Sequence, residues 1–172
     1  HVDLFDKDTP MAHTSQSSST LLHGGLRYLE TGQFKLVHKA LQARHFWLQQ
    51  APHLCHQLEF LFPIYKGEGR PKWQIGLGTK MYDILAKGSG FPNSQWLNAD
   101  EALRRSPNLK AHNLIGAYSF YDGQMDDYQL GQWVITQIQN LSGKVFTGRP
   151  VNTLDELADY DAIVNATGPW VM

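Results

Sequence analysis

The run His23-Gly24-Gly25-Leu26-Arg27 combines residue types that suit an anion-binding loop. Glycines lack a Cβ and let a backbone approach a ligand closely, and the arginine guanidinium is a planar fork of donors that matches phosphate or carboxylate. The same residues also suit a plain glycine turn before a helix, in which Arg27 pairs with Glu30 one turn on. His23 could act as a general base or lie in the core. The residues alone leave these alternatives open.

Three other segments carry groups that could meet a bound ligand. Asp6 closes a strand predicted over Val2–Phe5, and a carboxylate at that position of a dinucleotide-binding fold accepts ribose hydroxyls; by itself, Asp6 equally suits a turn. The run His13–Thr20 is rich in hydroxyls, which cap helices or bond to a ligand. The segment Asn165-Ala166-Thr167-Gly168-Pro169-Trp170 could bring backbone close to a flat cofactor, or form a strand-to-helix turn.

Two clusters invite a metal interpretation that the sequence does not favour. Asp126 and Asp127 have no adjacent histidine or further carboxylates, so we expect one of them to cap a helix instead. The spacing of His53, Cys55 and His56 does not match a recurring tetrahedral zinc site. We therefore predict no metal site.

Alternating strands and helices would have to position these groups. Apolar spacing predicts helices over 34–51, 71–85, 98–106 and 128–142, and strands over 2–5, 58–65, 114–121, 145–147 and 162–165. The alternation at both ends predicts an α/β fold. We expect an incomplete Rossmann-like layer that is interrupted by a mostly helical α+β insertion.

Composition restricts the class of protein. The chain has 172 residues, 42% of them hydrophobic, and a formal charge of -1, which predicts an ordinary core and disfavours nucleic acid as a partner. Cys55 is the one cysteine, so no internal disulfide can form and a cytoplasmic location is expected. No apolar run approaches the roughly 18 residues that predict a membrane span.

Four segments, taken in order, resemble the FAD-dependent glycerol-3-phosphate dehydrogenases of the glycine or D-amino acid oxidase superfamily. They are TSQSSSTLLHGGLRYLE, FKLVHKALQARHFWLQQAPHL, YDGQMDD and VNATGPWV. The resemblance implies oxidation of sn-glycerol 3-phosphate to dihydroxyacetone phosphate by hydride transfer to FAD, with electrons passed to a quinone or to oxygen. It leaves peripheral membrane association and a homo-oligomer as open alternatives.

The resemblance also implies roles for individual residues. Arg27 would bind the substrate phosphate, and Tyr28 would contact the substrate. The residues expected at the cofactor are Asp6, Thr14, Ser15, Ser18, Ser19, His23, Gly24, Val151, Gly168 and Trp170. Residues 1–33 and 127–172 would belong to the FAD-binding domain, and residues 34–126 would form the insertion on the substrate side.

The family's glycine-rich first turn does not occur in these residues, so we expect an internal fragment that is inactive alone. The resemblance identifies no catalytic acid or base. Two alternatives stay open: a flavoenzyme acting on a 2-hydroxy acid or an amine, and a structural or interaction module that is not catalytic.

Overall fold

The computed structural model describes residues 1–168. Its strands are β1 (Leu4–Phe5), β2 (Leu21–Leu22), β3 (Cys55–Tyr65), β4 (Gln95–Asn98), β5 (Leu114–Met125) and β6 (Val145–Phe146). Its α-helices are α1 (Phe34–Gln50), α2 (Lys72–Leu85), α3 (Ala99–Arg105) and α4 (Asp127–Asn140). This mixture of helices and strands confirms the predicted α/β class.

The chain divides into two compact units. The sheet unit is Ser17–Leu130, and the terminal unit comprises His1–Gln16 together with the chain from Gly131 onward. Residues 17–33, which the sequence assigned to the flavin-binding layer, pack with the sheet unit. Which unit meets the flavin and which meets the substrate stays a prediction.

The sheet unit is built on a four-stranded antiparallel sheet with β5 at its centre. β3 pairs with β5 over almost its whole length, from Cys55 opposite Met125 to Tyr65 opposite Leu114. β2 and β4 pair with β5 as well. β5 therefore runs past the predicted strand end at Tyr121, and this extension places Asp122 inside the sheet.

Local sequence signals account for the buried face of α1 and for the starts of α3 and α4. α1 buries Val37 and Leu41 at the predicted helical spacing. The side chain of Asn98 accepts the Glu101 N–H at 2.9 Å and caps α3, as predicted. Asp126 caps α4 in the same way, by accepting the Gln129 N–H at 2.8 Å.

The terminal unit contains a two-stranded parallel pair, β1 with β6. The rings of Phe5 and Phe146 stack across it with centroids 4.7 Å apart. The strand predicted over 162–165 is wrong: these residues are not in a strand, and the Val164 side chain is 89% exposed. A strand needs a hydrogen-bonded neighbour, and within residues 1–168 no strand pairs with this segment.

Candidate functional site

The paired glycines form a tight loop between β2 and a 3-10 helix over Leu26–Thr31. Gly25 adopts a left-handed conformation with φ 75°, which glycine tolerates without cost. A Cβ on Gly24 would lie 2.5 Å from the Tyr82 hydroxyl and would also strike Leu41. The interpretation as a turn before a helix is therefore correct: packing requires a glycine at position 24, and the left-handed conformation favours one at position 25.

Two buried side chains hold this loop through the amide of Gly24. The Gly24 N–H donates to the Tyr82 hydroxyl at 2.7 Å and to Asp122 Oδ1 at 3.3 Å. The Tyr82 hydroxyl in turn donates to Asp122 Oδ2 at 2.7 Å. Burial, and secondarily the Asp122 carboxylate, raises the pKa of Tyr82 well above its usual value, so the phenol keeps the proton that it donates.

Arg44 of α1 completes the network beneath the loop. Its Nη1 donates to Asp122 Oδ1 at 2.6 Å and to the Tyr121 carbonyl at 3.2 Å. Arg44 and Asp122 are only 1% and 3% exposed. Because a buried charge without a partner is costly, this pair and its hydrogen bonds fix the geometry around Gly24.

Arg44 and Asp122 were not among the predicted site residues, although one signal pointed to the arginine. Arg44 follows the buried Val37 and Leu41 by seven and three residues, which places it on the inward face of α1. No comparable signal marks Asp122, because its burial depends on a strand that runs longer than its pattern predicts.

Arg27 and Tyr28 lie in the 3-10 helix that follows the glycine loop, and both are exposed. The ion pair between Arg27 and Glu30 that the turn alternative predicted does not form. Glu30 instead pairs with Arg70 at 2.7 Å. Arg27 has no side-chain partner within the described residues, so its donors are available to a ligand. His23 is exposed as well, which excludes the alternative of a core histidine.

The predicted hydroxyl groups are all exposed but fall in different units. Thr14 and Ser15 lie in a 3-10 turn of the terminal unit. Ser18 and Ser19 belong to the sheet unit, where the Ser18 N–H donates to Asp127 Oδ2 at 3.0 Å. Their contact with a cofactor stays a prediction.

The other predicted cofactor residues that the structure describes belong to the terminal unit. Asp6 follows β1, and its Oδ1 accepts the Asp8 N–H at 2.9 Å, as in a turn. Val151 is half-buried and Gly168 is exposed with φ 76°. Trp170 lies outside the described residues. The roles of these residues towards FAD also stay predictions.

His53, Cys55 and His56 form the second cluster that the sequence raised as a metal candidate. Across residues 1–168, no group of three or more histidine, cysteine or acidic side chains has the proximity that a metal ion requires. The His56 ring is hydrogen-bonded to the Gln124 side chain at 3.0 Å. Cys55 is buried and unpaired, and burial raises the pKa of its thiol.

The profile of the FAD dependent oxidoreductase (DAO) family matches residues 1–172. The chain belongs to that family. This membership confirms the predicted class, an FAD-dependent oxidoreductase, and the predicted superfamily. No helix within residues 1–168 is both long enough and apolar enough to cross a membrane.

Curated relatives of this DAO-family chain carry the name glycerol-3-phosphate dehydrogenase. The protein from Pseudomonas tolaasii is 36% identical over 188 residues, which cover 99% of this chain and 35% of the relative. The aerobic enzyme from Escherichia coli K12 is 35% identical over 176 residues, covering 92% of this chain and 34% of the relative. The chain thus spans about a third of the length of these relatives.

Solved structures share the fold. The glycerol-3-phosphate dehydrogenase from Bacillus halodurans complexed with FAD matches with a TM-score of 0.58 at 18% identity, covering 88% of this chain and 22% of that one. L-alpha-glycerophosphate oxidase from Mycoplasma pneumoniae with FAD bound matches with a TM-score of 0.66 at 15% identity, covering 88% and 39%. At these identities the likeness establishes the fold alone.

Proposed function

We propose that this chain is part of an enzyme that oxidises sn-glycerol 3-phosphate to dihydroxyacetone phosphate with FAD. The observation that carries the proposal is the exposed Arg27, which has no side-chain partner in the described part of the chain and lies in the 3-10 helix directly after a loop held by buried hydrogen bonds. The names of the curated relatives support the same substrate.

The donor groups of this chain suit FAD. Exposed hydroxyls on Thr14, Ser15, Ser18 and Ser19 can hydrogen-bond to the ribityl and diphosphate oxygens of a flavin nucleotide. Asp6 would accept ribose hydroxyls, and the backbone at Val151 and Gly168 would approach the cofactor. The amide of Gly24 is already bonded to Tyr82, so we assign that residue a supporting contact rather than an N–H bond to the flavin. FAD, when bound, would accept the hydride of the substrate.

Arg27 would bind the substrate through its phosphate. A guanidinium makes paired N–H bonds to two phosphate oxygens, which fixes both the distance and the orientation of the substrate. Tyr28, the next residue, would contact the glycerol portion. Tyr82 and Asp122 would hold the loop so that Arg27 meets the phosphate without reorganisation.

Arg27→Lys tests this assignment directly. In the full-length enzyme of which this chain is part, a lysine keeps the charge but loses the paired geometry, so we expect the KM for glycerol 3-phosphate to rise about tenfold or more while kcat changes less. Lys39→Gln, an exposed change on α1, is the control and should leave both constants unaltered. An unchanged KM in the Arg27 variant would remove Arg27 from the substrate site.

The flavin spectrum separates the candidate substrates. Under anaerobic conditions, we expect glycerol 3-phosphate to bleach the oxidised-flavin band of the purified full-length protein, and a 2-hydroxy acid or an amine to leave it intact. Bleaching only by one of the latter would retain the family and replace the substrate. A protein with no flavin band, even after incubation with FAD, would favour a structural or interaction module.

We further propose a quinone or oxygen as the electron acceptor, and a cytoplasmic protein whose membrane contact, where it occurs, is peripheral. The single buried cysteine agrees with a reducing compartment. Mixing the reduced protein with a soluble quinone or with oxygen and recording flavin reoxidation would identify the acceptor. Release from membranes by high salt would distinguish peripheral attachment from insertion.

A further inference from the structure

Helix α2 carries apolar side chains on two opposite faces. Its inward face buries Ile75 and Tyr82. Its outward face carries Trp73, Leu77 and Ile84, which are 70%, 56% and 71% exposed. A helix that is apolar on all sides is normally covered on all sides, either by protein or by lipid. Within residues 1–168, only the inward face of α2 is covered.

The three exposed apolar side chains form one stripe with Lys80, and we call these four residues the α2 stripe. Positions 73, 77, 80 and 84 are spaced by four, three and four residues. With about 3.6 residues per turn, they fall within a sector of about 60° around the helix axis. Exposed apolar residues that are scattered singly are normal in a protein, whereas a contiguous group marks an interaction surface.

The free charge at the α2 stripe is positive. Lys80 and Lys87, which follows the helix, are both exposed. The half-buried Asp83 carboxylate accepts the N–H and the hydroxyl of Ser94, the latter at 2.7 Å, and lies 3.6 Å from Lys80 Nζ. No carboxylate of the described residues forms an ion pair with Lys87. A partner for this surface should therefore be apolar in part and negatively charged in part.

These residue types favour the surface of a bilayer over a protein partner. Helices that lie in a membrane interface place Trp and aliphatic side chains at the boundary of the acyl chains, with lysines beside them. The amphipathic ring of tryptophan suits that depth, and a lysine can bury its stem while its ammonium stays among the headgroups. A protein that covered the stripe would have to desolvate Lys80, which is costly without a new partner.

The length of α2 fixes how it would meet the bilayer. The helix has 14 residues, so it is about 21 Å long, whereas the hydrocarbon core of a membrane is roughly 30 Å thick. It is therefore too short to cross, and the inward face stays packed on protein. The helix would lie in the plane of the interface.

We propose that the α2 stripe binds the surface of a bilayer that contains anionic lipids. Trp73, Leu77 and Ile84 would enter the boundary between the headgroups and the acyl chains. Lys80 and Lys87 would meet the lipid phosphates. This inference rests on the peripheral attachment proposed above and assigns it to one face of one helix.

The test is co-sedimentation of the purified full-length protein with lipid vesicles. One set of vesicles contains phosphatidylcholine alone, and the other contains roughly one third phosphatidylglycerol. We expect binding to the anionic vesicles, weaker binding to the neutral ones, and a decrease in the binding to anionic vesicles at high salt.

Variants locate the attachment. Trp73→Ser combined with Ile84→Ser should weaken binding at least about tenfold, because two large apolar groups no longer leave water. Lys80→Gln combined with Lys87→Gln should weaken binding to the anionic vesicles about tenfold and leave binding to the neutral vesicles unchanged. Leu36→Ser on α1 is the control: Leu36 is an apolar residue that is 46% exposed and lies outside the stripe, so this change should have no effect.

The outcomes separate the possible failures. Absence of vesicle binding would remove peripheral attachment altogether, whereas binding that the Trp73 and Ile84 variant leaves unaltered would retain attachment and exclude α2 from it. A marked fall in the Tm of that variant without vesicles would show that protein covers the stripe. Each of these three results would overturn the proposal. Flavin bleaching by glycerol 3-phosphate, measured on the same samples without vesicles, tests the proposed catalytic activity separately.

Discussion

Arg44 and Arg27 belong to the same unit and carry the same side chain, but their surroundings differ completely. Arg44 is 1% exposed and is bonded to Asp122 beneath the glycine loop. Arg27 is exposed in the 3-10 helix that follows that loop and has no side-chain partner within residues 1–168. The comparison separates residues that hold the loop from residues that the loop presents.

This separation makes the contributions of the two groups measurable in different experiments. Changes in the buried network should lower the free energy of unfolding, because they leave desolvated polar groups without partners. Changes at Arg27 should affect substrate binding instead. A variant that weakened both the free energy of unfolding and substrate binding to the same extent would show that one residue both holds the loop and binds the substrate.

Asp122→Ala should have the largest effect on stability. The change leaves Arg44 buried without a counter-charge and removes the acceptor of the Tyr82 hydroxyl, so we expect a loss of about 3–5 kcal/mol in the free energy of unfolding. Chemical denaturation would measure it, with Glu68→Gln in an exposed loop as the control, expected within about 0.5 kcal/mol of the parent. A small loss for Asp122→Ala would mean that the ion pair contributes little.

Gly24→Ala should come next, because the added Cβ would meet the Tyr82 hydroxyl and Leu41. Overpacking of this kind costs about 1–3 kcal/mol. Gly78→Ala is the matched control: Gly78 lies inside α2, and a Cβ added there would have no other atom within 4 Å, so this change should stabilise by about 0.5–1 kcal/mol. Equal effects at the two glycines would contradict the tight contact at Gly24.

Tyr82→Phe probes the middle of the network and its pH dependence. Losing the hydroxyl should cost about 1–3 kcal/mol near neutral pH, because the Gly24 N–H loses its nearest acceptor. The raised pKa of Tyr82 means that the unfolded chain releases this proton first, near pH 10, while the folded protein retains it. Stability from Tyr82 is therefore complete below about pH 10 and falls as the pH rises further.

The measurement is the free energy of unfolding between pH 8 and about pH 11 for the parent and for Tyr82→Phe. The parent should lose stability more steeply than the variant in the alkaline part of this range. Tyr65→Phe serves as the control, since the Tyr65 hydroxyl takes no part in the hydrogen bonds around Gly24, and its profile should follow that of the parent. Parallel profiles for all three proteins would refute a role for Tyr82 ionisation.

Local signals were sufficient to predict the elements that carry their own caps and periodicity. α1 follows from its apolar spacing, and α3 follows from Asn98 and Glu101, whose hydrogen bond is local in sequence. The predicted strand over 162–165 failed because an apolar run does not specify its neighbour. Strand pairing is a long-range property that the run itself cannot encode.

The candidate site shows the same limit. The types of Gly24, Gly25 and Arg27 predicted a glycine loop suited to an anion; the structure contains a glycine turn there, and its binding of an anion stays a prediction. Its support could not be predicted, since Arg44 and Asp122 are 78 residues apart and meet only when α1 packs against the sheet unit. The residue types of a candidate binding loop can be recognised in the sequence. The buried residues that hold the loop can be identified only in the assembled fold.

Arg27→Ala should have the smallest effect on stability and so completes the comparison. The side chain is exposed and unpaired in the described structure, so its removal should change the free energy of unfolding by less than about 0.5 kcal/mol. Chemical denaturation of Arg27→Ala and of Asp122→Ala would give the two free energies of unfolding for direct comparison. A loss at Arg27 comparable to that at Asp122 would show that Arg27 holds the loop as well. With stability retained, a rise in KM would report the loss of a contact with the substrate rather than a loss of the fold.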